Sequence, residues 1–155
     1  MINQCKFFME ELRLHSHDDI SQIASKFPPT LWLPEHTILS KTQFLRDELG
    51  LTHDELRSVL VSFPQVLGLS LDENLRLTVD FLLREIDGKD DEGGGGAGLS
   101  RDRLREFVLY QPALLAYSLE GRIRPRIQNM NSRGVSFGYA PANIMCKTNE
   151  KFDEW

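Results

Sequence analysis

FPQVLGLSLDENLRLTVDFL (residues 63–82) and YQPALLAYSLEGRIRPRI (residues 110–127) share one frame: proline, an apolar pair, serine–leucine, then a helix-like run. PPTLWL (residues 28–33) starts the same way. The prolines that open the three stretches, Pro28, Pro64 and Pro112, lie 36 and 48 residues apart. The longer interval holds DGKDDEGGGGAG (residues 87–98), an acidic, glycine-rich insertion. Without it the spacing returns to the first interval. A fixed period of ~20–50 residues marks a stacked-repeat architecture, in which no unit can bury its apolar face alone.

Each unit reads as helix, proline stop, short turn and second helix. Ahead of Pro64, Thr52 and Glu55 have the spacing of a capping box. Leu56, Val59, Leu60 and Phe63 follow on one helical face. Ahead of Pro112, Ser100 is the N-cap and Leu104, Phe107 and Val108 form the seam. Proline restrains its predecessor and lacks an N–H, so each helix should stop there. The apolar pieces after the prolines suit a single 3₁₀ turn. Ser70, with Glu73, and Ser118 open the second helices. Their stripes are Leu71, Leu75, Val79, Leu82 and Ile86, then Ile123, Ile127 and Met130. Gly50, Gly88 and Gly134 close the long helices. In the first unit Pro34 stands where the others have serine.

The expected fold is therefore an all-α solenoid of about three proline-punctuated helix-turn-helix repeats with a C-terminal cap. The repeats span about residues 20–50, 51–88 and 99–134, and the tail spans 135–155, all within one domain, 1–155. Hydrophobic residues at 41% and charged residues at 26% place the chain among ordinary globular sequences. No apolar run approaches the ~20 residues of a membrane-spanning helix. Cys5 and Cys146 form no CxxC pair and read as free thiols in a reducing compartment. MINQCKFFMEE (residues 1–11) has neither a secretory apolar core nor the arginine-rich, acid-poor character of a transit peptide. The expectation is that the protein stays where it is made, or that Met1 is not the start of the precursor.

GLTHDELRSVLVSFP (residues 50–64), PQVLGLSLDENL (64–75) and PALLAYSLEGRIRP (112–125) resemble the repeats of the mitochondrial transcription termination factor (mTERF) family. Pro125 sits where that family often carries a proline, and the tail from residue 133, with its Glu150-Lys151-Phe152 step, is similar to the family's C-terminal end. The resemblance covers about residues 20–155. It implies a helical superhelix that binds nucleic acid along a concave face, in mitochondria or plastids, in transcription, its termination, or RNA processing. The mechanism expected from it is non-catalytic, and no cofactor is expected. The few repeats and the glycine-rich insertion depart from the family's pattern.

Charge is uneven along the chain. Residues 99–134 hold seven arginines against three acids, whereas the rest carries 11 basic and 20 acidic residues. On the last long helix, projection at about 100° per residue puts Arg122, Arg126 and Arg133 within about 40° of one another, with Asn129 beside them. No acid shares that flank. Guanidinium forks suit phosphate oxygens, and a row of them one turn apart can track a backbone. The competing reading is a solvated flank that screens the acidic units. Arg101 and Arg105 form a second candidate pair, but Asp102 and Glu106 share their exposed side and favour the solvated reading there. The expected partner is nucleic acid, DNA or RNA, held through its phosphates by a monomer. The rival function is a protein-interaction scaffold, with partners on the acidic N-terminal part.

Other patterns carry less. HSHDD (residues 15–19) places His15 and His17 two apart, on different helical faces, and reads as a loop with Asp18 or Asp19 near a helix start. His36 and His53 are isolated. The glycine run lacks the GK[ST] ending of a phosphate loop. Phe27, Trp32, Phe44, Phe81 and Tyr117 could stack on bases, with core packing as the default. No nucleophile–base arrangement or carboxylate pair stands out, so no enzyme is expected.

Overall fold

A computed structural model describes residues 2–83, 97–135 and 147–154. Most of the glycine-rich insertion, Ile86, Gly88 and Cys146 lie outside the described residues. The described residues are helical and contain no strand. No helix among them is long and apolar enough to cross a membrane. The chain divides into two compact units, Met1–Leu71 and Asp72–Trp155.

In the first unit, α1 (Ile2–Glu10) and α2 (His17–Lys26) precede a 3₁₀ turn (Pro28–Leu31), and α3 (Glu35–Leu49) and α4 (His53–Ser62) precede a second (Pro64–Gly68). Local chemistry sets these ends. Ser16 caps α2, accepting from Asp18 N. Thr52 and Glu55 exchange both bonds of the capping box at α4. Gly50 ends α3 in the left-handed region at φ 67°, where a Cβ would be strained. Leu56, Val59 and Leu60 are buried with Ile23, Ile38, Leu45 and Leu49. α1, which periodicity alone did not pick out, adds Phe7 and Phe8 to this core. Its Gln4 amide donates to the Thr30 and Leu33 carbonyls at the first corner.

The second unit contains α5 (Arg76–Leu83), α6 (Arg101–Tyr110), a 3₁₀ turn (Pro112–Ala116), α7 (Arg124–Ser132) and the single-turn α8 (Asn149–Asp153). Ala97 N and Leu99 N donate to the Phe81 and Leu82 carbonyls, pairing acceptors that the end of α5 leaves open. Ser100 caps α6 and Ser118 accepts from Gly121 N. α7 ends in a Schellman arrangement: Val135 N bonds Met130 O and Gly134 N bonds Asn131 O, with Gly134 at φ 70°.

The three corners are copies of one another. Phe27, Phe63 and Gln111, each preceding a proline, have φ of −142°, −141° and −138°. Their N–H groups donate to Ile23, Val59 and Phe107, four residues back. Proline imposes the extended geometry, and the helix closes its last bond just before it.

The second helices differ in one respect that spacing did not predict. Leu71–Leu75 and Leu119–Ile123 are π turns, closed i→i+5, which insert one residue before α5 and α7. The buried seam accordingly starts ten residues after Pro28, at Ile38, but eleven after Pro64 and Pro112, at Leu75 and Ile123. The wide turn does not depend on proline, since Leu71–Leu75 has none. It does accommodate Pro125, whose ring would otherwise press on the carbonyl four residues back.

With that offset, Lys41, Thr78 and Arg126 occupy one equivalent position, and all three are buried. Lys41 Nζ donates to the Leu67 carbonyl, on the next corner. Burial holds the Lys41 ammonium below its ordinary 10.5. The unfolded chain then binds the extra proton between the folded value and 10.5, so this residue's contribution to stability rises as pH climbs through that window. Urea melts over that range should show a steeper alkaline gain in wild type than in Lys41→Met.

Candidate nucleic-acid interface

α6, the π turn and α7 carry all the arginine candidates, and their environments separate them. Arg122 is half-buried, with its guanidinium carbon 4.6 Å from the centre of the Tyr117 ring. Among the described residues no carboxylate pairs with it. Cation–π attraction holds the group while leaving its hydrogen-bond donors for an acceptor. Asn129 and Arg133 are exposed along α7, and no acid lies within that helix. Arg133 also closes α7, its N–H bonding the Asn129 and Met130 carbonyls.

Arg126 is placed otherwise than the helical projection expects. It is 3% exposed, and its Nη2 donates to the Lys147 carbonyl at 2.7 Å and to Asn149 Oδ1 at 2.9 Å. Its guanidinium lies 4.9 Å from the Phe152 ring centre. The solvent-facing assignment of Arg126 is thus corrected: α8 lies over that part of the flank. At its repeat position Arg126 does for the tail what Lys41 does for the next corner, reaching a main-chain carbonyl of the element that packs on it.

The neighbours are committed in different ways. Arg124 pairs with Glu120 at 3.0 Å and lies 4.6 Å from the Phe81 ring centre. Arg103 bonds Glu106 at 2.8 Å. Arg101 is exposed at the start of α6 and Arg105 is half-buried on the same helix. Arg122, Arg126 and Asn129 meet Asn149, Phe152 and Asp153 around one cleft of about 280 Å³. Arg133, Arg101 and Arg105 do not line it. Sequence reasoning missed Asn149, Phe152 and Asp153 as neighbours of the arginine flank. The Glu150-Lys151-Phe152 step was the one signal that pointed there.

The aromatic candidates divide as well. Phe44 and Phe81 are core residues, whereas Trp32 is 69% exposed. Tyr110, at the end of α6, is 74% exposed. Asp19 is buried against Arg57 at 2.6 Å, so the second acid of HSHDD serves an ion pair between α2 and α4. Among the described residues no group of three or more His, Cys, Asp or Glu could hold a metal ion.

Congruent proline corners, paired helices and a repeated seam define an all-α helical-repeat protein of the solenoid class. A family model described as mTERF matches residues 1–89, more than half of the chain, and the chain belongs to that family. It is 25% identical over 141 residues to the chloroplastic transcription termination factor MTERF4 of Zea mays, covering 91% of this chain and 25% of the relative. The MTERF4 protein of Oryza sativa subsp. japonica is 26% identical over 141 residues, covering 91% and 24%. That of Arabidopsis thaliana is 24% identical over 137 residues, covering 88% and 22%. The chain spans about a quarter of the length of these curated relatives.

Proposed function

We propose that this chain binds nucleic acid through phosphate contacts and acts, without catalysis, in organelle gene expression: transcription termination or regulation, or RNA processing. Family membership and the three relatives named as chloroplastic transcription termination factors support the setting, a plastid or mitochondrion. The observation that carries the binding is the run from the last π turn to the end of α7, where a ring holds Arg122, α7 itself contains no acid, and Asn129 and Arg133 stand exposed. Arginines hold phosphates there, and helix geometry sets register with little reading of bases.

The test is equilibrium binding of the wild type and an Arg122→Gln/Arg133→Gln variant to short duplex DNA and to single-stranded RNA. Both sites are on the surface, so folding should survive. Affinity should fall on the order of tenfold at low salt for whichever polymer is bound. Equal affinity in the two proteins would remove the arginine face from the account. The excess of acids outside residues 99–134 favours a second reading, a protein-interaction scaffold. That reading predicts binding to neither polymer.

A further inference from the structure

We infer that α8 is a built-in competitor for the arginine face: it occupies Arg126 and the adjoining cleft, and a nucleic-acid backbone displaces it. The inference rests on the proposed phosphate-binding role of α7 and concerns how that face is regulated.

Three observations converge on it. The first is what Arg126 does. Its Nη2 donates to two neutral oxygens of the tail, the Lys147 carbonyl and the Asn149 side-chain carbonyl. A phosphate oxygen is a stronger acceptor than either, because the hydrogen bond is then charged on both sides. The second is position. Arg126 lies between Arg122 and Asn129 along the chain and shares one cleft with both, and Arg133 follows at the end of α7. Uncovered, it would complete the row. The third is the tail's chemistry. α8 puts Asp153, an anion, on the wall of the cleft that Arg122, Arg126 and Asn129 line. Asp153 is exposed at that wall and adds negative charge beside the cleft.

The strap is also weakly built. α8 is one turn of five residues, far below the length at which a helix is stable alone. The contacts that order it include the buried Phe152, the Thr148 cap to Lys151 N and Arg126. A polyanion that engages Arg122 and Arg133 first could exchange the tail's contacts for its own without disturbing the apolar seam of Ile123, Ile127 and Met130.

The decisive variants keep the whole chain. Phe152→Ala should release α8, and Asp153→Asn should remove the competing charge while leaving the packing. Binding to a short duplex DNA and to single-stranded RNA should tighten roughly tenfold at low salt in Phe152→Ala, the worth of about one charge-assisted contact. The log–log salt slope should steepen by about 0.9 on the duplex. Adding Arg126→Met to Phe152→Ala should abolish that gain. A purely structural tail predicts unchanged or weaker binding in Phe152→Ala, with an unchanged salt slope, and either result overturns the inference. If circular dichroism shows that Phe152→Ala has lost its fold, Asp153→Asn decides: tighter binding supports the competitor, equal binding overturns it. Binding by Phe152→Ala where wild type shows none also supports it. Binding by neither overturns it together with the proposed function. Weaker binding in Arg122→Gln/Arg133→Gln without a gain in Phe152→Ala overturns the inference alone, whereas wild-type binding that Arg122→Gln/Arg133→Gln does not weaken removes the arginine face and the inference with it.

Discussion

Ile123→Ala should lose about 2–5 kcal/mol of folding stability, with a fall in melting temperature on the order of 10 °C. Ile123 is fully buried at the junction between the π turn and α7, the third copy of a seam position held by Ile38 and Leu75. Removing three carbons there forfeits their transfer free energy and leaves a cavity. The π turn already fixes the backbone on one side and Pro125 on the other, so collapse into the void is restricted. Ile123→Val removes one methylene and should cost about 0.5–1.5 kcal/mol. Urea melts of both variants check the pair. Equal, small losses would mean that this position does not anchor the repeat.

Arg126→Met should weaken the docking of α8 by about 2–4 kcal/mol while changing the rest of the unit little. Methionine keeps much of the apolar stem but donates nothing. The Lys147 carbonyl and Asn149 Oδ1 then lose a charged donor, a hydrogen bond worth about 1.5–3 kcal/mol. The Phe152 ring also loses the cation beside it, roughly a further 0.5–1 kcal/mol. Limited proteolysis reads the effect directly: cleavage within residues 147–154 should accelerate, while α6 and α7 stay protected. Unchanged cleavage would show that Arg126 does not hold the tail.

The fold was largely legible because its determinants are local. Each proline fixes the residue before it, and Thr52 with Glu55 writes a helix start within four positions. The seam residues Leu56, Val59 and Leu60, and Leu104, Phe107 and Val108, follow a 3.6-residue period that survives into the structure. The π turns were not read, although their trace is the single extra residue between Pro64 or Pro112 and the seam. A projection at a fixed angle per residue cannot see a turn that holds more residues than 3.6. The same limit affects the arginine face, since Arg122 lies inside the π turn and Arg126 beyond it. The burial of Arg126 was out of reach for a different reason: its partners come 21 and 23 residues later, and no local rule connects them. The sequence marks Tyr117 as an aromatic but not as the ring that orients Arg122, because that contact crosses from the proline corner to the π turn.

The central claim is that Arg122 and Arg133 of the last repeat hold phosphates, and counterion release measures it most directly. Affinity for a short duplex DNA should fall with salt along a log–log slope of at least about −2, the sum of two contacts at ~0.9 each. In Arg122→Gln/Arg133→Gln that slope should flatten by nearly the same amount. A wild-type slope near zero, or one that the double substitution leaves unchanged, would contradict it.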